Sequence, residues 1–504
     1  MKILSAQQIR EADTYTIAHE PVSSIDLMER AAKACALRIA EITHPDSIYL
    51  IFCGKGNNGS DGLAIARLLA EMKRKAEVFI INHNDNASED FSTNLKRLEK
   101  HGSVKIHNVE GHAELVSASV SGRIEKNIFI IDALLGTGLN KPVEGLLAET
   151  IELINSSVLS VVAIDIPSGL FCDEKPTHKR IIRAGKTLSF QRPKFTFLFN
   201  DFAQYVGEFE ILDIGLNEEF IELQTSDYFF LHSEDIHALL KPRQRFSHKG
   251  SYGHALLLAG STGKTGAAVI AAKACLRSGA GLLTAHLPSS ACAIMQTALP
   301  EAMVNADENA DIISSLPKNQ NFSAIAMGPG TGTSKETAQA LKLLIQNAPA
   351  PMVLDADALN ILAENKTWVS FLPPGTILTP HPKEFDRLCG AHTSDFERLQ
   401  TARQFAQKNN LIIVLKSAFT TIVLPDKKVF FNSTGNPALA KGGSGDALTG
   451  IILGLLSQSY SPENAAIIAV FIHGYAADLY IQKNSAQSML VSDLIELLPK
   501  AFLL

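Results

Sequence analysis

At 504 residues the chain is too long for one ordinary hydrophobic core, and two domains is the simplest division. A formal charge of -6, with 46% hydrophobic and 19% charged residues, gives no general attraction for nucleic acid or an anionic membrane, so small molecules are the expected partners. Cys35, Cys53, Cys172, Cys275, Cys292 and Cys389 form no CxxC pair, which argues against a zinc site or a disulfide scaffold and for reduced thiols in a cytoplasmic protein. The opening MKILSAQQIREADTYTI lacks the apolar core of a signal peptide. The late apolar stretch AAIIAVFIHGYAADLYI is interrupted by His473 and Asp478, so no membrane span is expected.

Taken in chain order, short β-rich apolar runs recur, each followed by glycines or polar residues and a helix-period segment, the pattern of parallel α/β folds. In the first half the predicted strands are 47–53 (SIYLIFC), 76–81 (AEVFII), 127–132 (NIFIID) and 160–165 (SVVAID). In the second they are 254–260 (HALLLAG), 323–328 (SAIAMG), 351–355 (PMVLD) and 411–416 (LIIVLK). Between the halves the text turns charged and irregular, which places a domain boundary near residue 225. The cluster Lys241, Arg243, Arg245, His248 and Lys249 reads either as a solvated linker or as a phosphate-facing edge.

After the first strand, CGKGNNGSDGLAIARLL makes a glycine turn and opens a helix with Leu63, Ile65, Ala66, Leu68 and Leu69 on its buried side. Backbone N–H groups at such a positive helix end suit phosphate, although the spacing is neither GxGxxG nor GxxxxGK[ST] and a purely structural turn is the alternative. Asp132 and Asp165 each end a strand, and Ser168 lies three residues after Asp165. Singly, such aspartates read as caps or turn formers; together, the three loops point to one crevice beyond the carboxyl ends of the strands. Asn58, Asp132 and Ser168 offer oxygen atoms for a hard, weakly charged cation, which leaves Asp165 for proton transfer.

The stretches GNNGSDGLAIARLL, IDALLGTGLNKPVEG, VVAIDIPSGL and QRPKFTFLF resemble the N-terminal epimerase domain of the bifunctional NAD(P)H-hydrate repair enzymes, over about residues 1–220. The resemblance implies epimerisation at C6 of hydrated NADH or NADPH (NADHX, NADPHX). The hydrate would lie among Asn57, Asn58, Gly59, Ser60, Asp61, Gly136, Thr137, Gly138, Leu139, Asn140, Lys141, Pro142 and Asp165, with potassium on Asn58, Asp132 and Ser168. Ser60 stands where the family more often has glycine, and is expected to add a hydroxyl near the phosphates.

In the second half GNPALAKGGSGDALTGIILGLL brings Gly442, Gly443 and Gly445 to the start of an apolar helix, with Asp446 in its first turn. An acidic helix cap is the plain reading. A donor cradle for a transferring phosphoryl group, with the carboxylate beside the attacking hydroxyl, accounts for the glycines as well. LKSAFT adds Lys416 and Thr420 at strand ends, where a phosphate contact competes with an ordinary surface lysine. LTPHP holds His381 between two prolines, as a substrate contact or a hydrogen-bonded structural residue. GSTGKTG is two residues short of a P-loop and is not read as one.

With HKGSYGHALLLAGSTGKTGAAVIAAKACLRSGAG, AMGPGTG and VLDADALN, these motifs look like the ribokinase-like ADP- or ATP-dependent NAD(P)H-hydrate dehydratase domain, over about residues 230–500. Implied hydrate contacts are Ala267, Gly330, His381 and Asp446, and implied nucleotide contacts are Lys416, Ser417, Ala418, Phe419, Thr420 and Gly445. Asp165 and Asp446 are the expected catalytic residues. ADP or ATP is the expected co-substrate, with Mg2+ accompanying it, and a homo-oligomer is the expected assembly. Ser417 and Lys383 depart from the family's glycines, and Ser417 is expected to weaken nucleotide binding by restricting the backbone.

The expected fold is α/β in two domains: a Rossmann-like three-layer α/β/α domain over 1–225 and a ribokinase-like α/β domain over 226–504. Two rivals are carried beside this reading. One is a ribokinase-like kinase of a small vitamin-type alcohol with an accessory ligand-binding domain, and the other is a non-catalytic nucleotide sensor.

Overall fold

The computed structural model describes residues 1–84, 86–111, 127–318, 321–348 and 350–504. The chain divides into two compact units, Lys2–Ser226 and Asp227–Leu504, with Met1 counted in the second.

In the first unit seven strands are all parallel: β1 (Ile48–Cys53), β2 (Lys75–Ile81), β3 (Lys105–Val109), β4 (Ile128–Ala133), β5 (Ser160–Ile164), β6 (Lys186–Phe190) and β7 (Glu208–Leu212), in the order β3-β2-β1-β4-β5-β6-β7. Alternate residues of β1 serve opposite faces, as the period of two requires. Tyr49, Ile51 and Cys53 pack with α2 (Ser24–Ile42), α3 (Asn57–Glu71) and α4 (Glu89–His101), after an N-terminal α1 (Ala6–His19). Leu50 and Phe52 pack with Leu147 and Ile151 of α5 (Gly145–Ser156) on the other face. The unit is therefore a three-layer α/β/α sandwich. The order reverses between β1 and β4, so the loops after these two strands flank the crevice where open sheets bind ligands.

The second unit holds a ten-stranded sheet in the order β11-β10-β9-β12-β13-β14-β15-β16-β17-β8. Its strands are β8 (Tyr228–Phe230), β9 (His254–Leu258), β10 (Leu282–Leu287), β11 (Met303–Ala306), β12 (Ala324–Met327), β13 (Met352–Leu354), β14 (Ile377–Leu378), β15 (Ile412–Leu415), β16 (Thr421–Val423) and β17 (Val429–Phe431). The parallel pattern read from the sequence is broken at one end, where β15, β16 and β17 run antiparallel. The connections there are too short for a parallel crossover, which needs a dozen or more residues.

On one face α6 (Thr265–Arg277) and α8 (Ser444–Ser457) cross closely. Gly450 of α8 lies against the Ala271 carbonyl, where a side-chain carbon would stand 2.1 Å from that oxygen. Between them in the chain lies α7 (Pro382–Cys389), and α9 (Pro462–Ile481) and α10 (Val491–Ala501) complete the helices used below. By length and composition α9 is long and apolar enough to cross a membrane, but Ala465 to Gly474 are all buried within this unit's core. The five basic residues at 241–249 are all exposed, as a solvated linker requires, but two of them are tethered. Lys241 donates to the Ser459 carbonyl at 2.8 Å and lies over the Tyr460 ring, while Arg243 donates to the Gly279 carbonyl at 2.6 Å and lies over Tyr252.

Candidate active sites

In the first unit the β1–α3 turn allows a very close backbone approach: a side-chain carbon at Gly59 would stand 1.7 Å from the Gly54 carbonyl oxygen. Only glycine fits there. No side chain caps α3, whose N-cap is Gly56, so its first N–H groups are left for a ligand. Gly56, Asn57, Asn58 and Asp61 line a cavity of about 850 Å³ together with Gly136, Thr137, Gly138, Leu139 and Asp165. The three loops read from the sequence thus meet.

The remaining predicted contacts are placed differently. The Ser60 hydroxyl is fully buried and accepts a hydrogen bond from Asn94 Nδ2 of α4 at 3.0 Å, so it fastens two helices and is not directed at phosphates. Gly59 serves the close approach just described. Asn140 borders a smaller adjoining pocket of about 200 Å³, and Lys141 and Pro142 are exposed beyond it.

The buried Asp132 carboxylate accepts the Ser168 hydroxyl at 2.6 Å and the Ser168 N–H at 2.8 Å, which ties the end of β4 to the loop after β5. Burial pushes the Asp132 carboxyl up to about 6, against the pull of those hydrogen bonds. Asn58 Nδ2 donates to the Leu135 carbonyl at 2.9 Å, and Ser168 Oγ lies 3.2 Å from the same oxygen. Asn58 Oδ1 is buried and has no hydrogen-bond partner among the described residues. An orphaned oxygen beside a carboxylate, a hydroxyl and a backbone carbonyl is a donor set that a hard monovalent cation fits.

Asp165 was read from the sequence; its partner was not. Lys194 Nζ lies 2.9 Å from Asp165 Oδ1. Asp165 has φ of 65°, a left-handed conformation rare outside glycine. Burial and then Asp165 raise the Asp13 carboxyl to about 6. Asp61 is pushed up by burial and by Asp165, Asp13 and Asp90. Asp13 and Lys194 were missed in the sequence, although the quoted QRPKFTFLF contains the lysine.

In the second unit the N-cap of α8 is Gly443, with φ of 94° and no side-chain cap. Asp446 therefore does not cap the helix, and its carboxylate makes no hydrogen bond or ion pair among the described residues. Burial first, then Asp355 and Asp357 against Lys416, put its carboxyl at about 6. Lys416 Nζ lies 2.9 Å from Asp355 Oδ1, and Thr449 Oγ1 donates to Asp355 Oδ2 at 2.8 Å. Burial lowers the Lys416 pKa, but Asp355, Glu384 and Asp446 outweigh it and raise the value overall. A side-chain carbon at Gly445 would stand 3.3 Å from Lys416 Nζ, so LKSAFT, VLDADALN and GGSGD converge.

Ser417, Ala418, Phe419 and Thr420 form the turn between β15 and β16, where Thr420 Oγ1 donates to the Ser417 carbonyl at 3.1 Å. Ser417 is not among the residues with a left-handed backbone, so the expected restriction does not arise. Gly330 and Ala267 are in contact, since a side-chain carbon at Gly330 would stand 3.1 Å from Ala267 Cβ. His381 is the N-cap of α7: its Nδ1 accepts the Lys383 and Glu384 N–H groups at 3.0 and 3.2 Å. That supports the structural reading of His381, whose Nε2 lies 3.5 Å from Glu384 Oε1. His473 of α9, buried and held down to about 4 chiefly by burial, contacts the Ser444 carbonyl through Nε2 at 3.0 Å.

Among the described residues no group of three or more His, Cys, Asp or Glu is arranged to hold a metal ion.

Comparison with known proteins agrees with the placement of these motifs. Residues 24–196 match the family described as YjeF-related protein N-terminus, and residues 255–500 match NAD(P)H-hydrate dehydratase. The second match does not favour the vitamin-alcohol kinase. The bifunctional NAD(P)H-hydrate repair enzyme Nnr of Moorella thermoacetica is 34% identical, across 99% of this chain and 96% of its own. The Escherichia coli K12 protein of the same name is 32% identical, across 94% and 89%. The ADP/ATP-dependent NAD(P)H-hydrate dehydratase of Bacillus subtilis, co-crystallised with ATP/Mg2+, is 35% identical and covers 54% of this chain and 97% of its own, with a TM-score of 0.48. The chain belongs to the family of bifunctional NAD(P)H-hydrate repair enzymes.

Proposed function

We propose that the chain repairs hydrated NADH and NADPH: the first unit epimerises the hydrates at C6, and the second dehydrates the S epimer at the expense of ADP or ATP. The observation that carries this reading is the pairing of two motif sets, each gathered at its own sheet, on one chain that the Moorella thermoacetica relative matches along 96% of its own length. With ADP the products are NAD(P)H, AMP and phosphate.

In the second unit Asp446 takes the proton of the C6 hydroxyl as that oxygen accepts a phosphoryl group held over the Gly442 to Gly445 backbone. Ring-nitrogen electrons then expel phosphate, and loss of a proton from C5 restores the double bond of the nicotinamide. Lys416 is committed to Asp355, so it shapes the site as half of an ion pair. Mg2+ would enter with the nucleotide phosphates.

In the first unit Asp165 exchanges protons at the C6 carbinolamine. Potassium would be held by Asn58, Asp132 and Ser168, with the Leu135 carbonyl beside them. Bound there it would supply positive charge beside a buried carboxylate whose hydrogen-bond donors among the described residues are neutral. Asn58 reaches toward the loop of Gly136, since a side-chain carbon on that glycine would stand 3.4 Å from Asn58 Cβ and 3.8 Å from Asp165 Oδ2. We place the enzyme in the cytoplasm, where its six free cysteines stay reduced, and expect a homo-oligomer, which light scattering reads directly.

The test is incubation of the full chain with a mixture of NADH hydrates and either ADP or ATP, following NADH absorbance and inorganic phosphate. Both epimers should disappear, with NADH and phosphate formed in equal amounts. A stable phosphate ester without NADH would establish the kinase instead, and nucleotide binding without turnover would establish the sensor.

A further inference from the structure

Helix α1 precedes the residues matched by the family model, yet it forms a wall of the first unit's cavity. Ile9, Arg10, Asp13, Thr14 and Ile17 line that cavity, and their spacing is that of one helix face. The helix is pinned at both ends. A capping box joins Ser5 and Gln8, Asp173 accepts the Ala6 N–H at 2.9 Å, and Thr16 Oγ1 accepts the Asn217 N–H at 2.9 Å. Asp13 is thus presented to the cavity by a fixed backbone, and its carboxyl has no hydrogen bond or ion pair among the described residues.

Two carboxyls on the same cavity therefore have opposite surroundings. Asp165 is paired with a buried ammonium, whereas Asp13 is unpaired, and burial together with Asp165 raises it to about 6 while Lys194 opposes that rise. Asp61, Asp90, Lys55, Arg10 and His83 are the other titratable or charged groups on the cavity. Two carboxyls on one cavity, one held in an ion pair and the other without a partner among the described residues, are suited to divided acid and base duty.

We infer that Asp13 is a second catalytic carboxyl of the epimerase site, giving a proton to the departing C6 hydroxyl while Asp165 takes one from the water that returns on the other face. This rests on the epimerase reading. Asp13 protonates the C6 hydroxyl, the C6–O bond breaks, and the ring-nitrogen pair forms the C=N bond of an iminium as water leaves. Water then adds to the opposite face, the C=N electrons return to nitrogen, and Asp165 holds the proton released. The enzyme now has its proton on the other carboxyl, the state that converts the opposite epimer. Exchange with solvent resets it.

Epimerisation is measured on purified single hydrates with the full chain and no nucleotide, so that dehydration is silent. In water enriched in 18O, each wild-type interconversion should place one solvent oxygen at C6. The wild-type kcat/KM should be bell-shaped in pH, because the pair must hold one proton. Asp13→Asn should lower kcat by at least about 100-fold with KM within about threefold, and Asp13→Glu should recover activity and the bell. A wild type that does not exceed the uncatalysed rate would remove the epimerase reading itself. A wild type that turns over without 18O uptake or without an alkaline fall, or an Asp13→Asn enzyme within about threefold of wild type, would overturn this inference alone.

Discussion

Lys194, with no exposed surface, holds its ammonium 2.9 Å from Asp165 Oδ1, and the same nitrogen donates to the Phe190 carbonyl at 3.1 Å. Asp165 meets it from a left-handed backbone, a conformation that costs on the order of 1 kcal/mol or more in a non-glycine residue and persists only where neighbours enforce it. The pairing fixes the direction of the one carboxylate that the sequence marked as catalytic in this unit. Removing the lysine leaves that carboxylate enclosed without its counter-charge. Lys194→Met should therefore reduce epimerase kcat by about 100-fold or more and lower the unit's melting temperature, while dehydration of the S hydrate continues. Epimerase turnover close to wild type would show that the pair only braces the loop.

Asp446 should impose a pH dependence on dehydration. Its carboxyl lies at about 6 and must be ionised to accept the hydroxyl proton. Dehydratase kcat/KM should rise about tenfold per pH unit below 6 and level off above it, and Asp446→Asn should abolish it. The same displacement has a stability consequence. Because the folded state keeps this proton to higher pH than the unfolded chain, Asp446 disfavours folding progressively between about pH 4 and 6 and fully above. Asp446→Asn should raise stability at pH 7.5, by about 3 kcal/mol at most, with no gain at pH 4. Equal melting shifts at both pH values would contradict the assignment.

His473 works in the opposite sense. Its imidazole is held down to about 4, chiefly by burial, with Lys416 adding to the effect and the Ser444 carbonyl opposing it. The unfolded chain takes up a proton near pH 6.5 that the native state refuses until about 4. Stability in the second unit is thus fully present above pH 6.5 and is lost as pH falls toward 4. His473→Gln should narrow the difference in melting temperature between pH 7 and pH 5. An unchanged difference would place the acid sensitivity elsewhere.

How much of this could be read in the sequence depended on whether a residue's role was local. The strands over 47–53 and 254–260 were legible because both faces of a central parallel strand are buried and the run is continuously apolar. Strand β6, with Thr187 and Ser189 buried among apolar neighbours, gave no such run. GGSGD was legible as a glycine-rich helix start and VLDADALN through the resemblance, but the ion pair joining Lys416 to Asp355 spans 61 positions and has no signature along the chain. Asp13 was hidden for a related reason: it sits in an ordinary polar helix, and only the docking of that helix makes it part of a cavity. Ser60 was legible in type but not in direction, because Asn94 of a separate helix decides where its hydroxyl points.

The glycines of α8 divide into those that pack and those that leave room, and this division can be tested. A side-chain carbon at Gly450 would stand 2.1 Å from the Ala271 carbonyl, so Gly450→Ala must push α6 and α8 apart. Such overpacking typically costs about 1–3 kcal/mol, read as a lower melting temperature of the second unit. At Gly442, just before the helix, an added carbon meets nothing within 4 Å, and the backbone is not left-handed. Nothing in the folded chain requires glycine there. If the open space belongs to a transferring phosphoryl group, Gly442→Ala should leave the melting temperature unchanged but raise KM for ADP or ATP by about tenfold or more, because the backbone N–H groups can no longer close on the anion. An unchanged KM would remove Gly442 from the cradle and confine anion binding to the first turn of α8, at Ser444, Gly445 and Asp446.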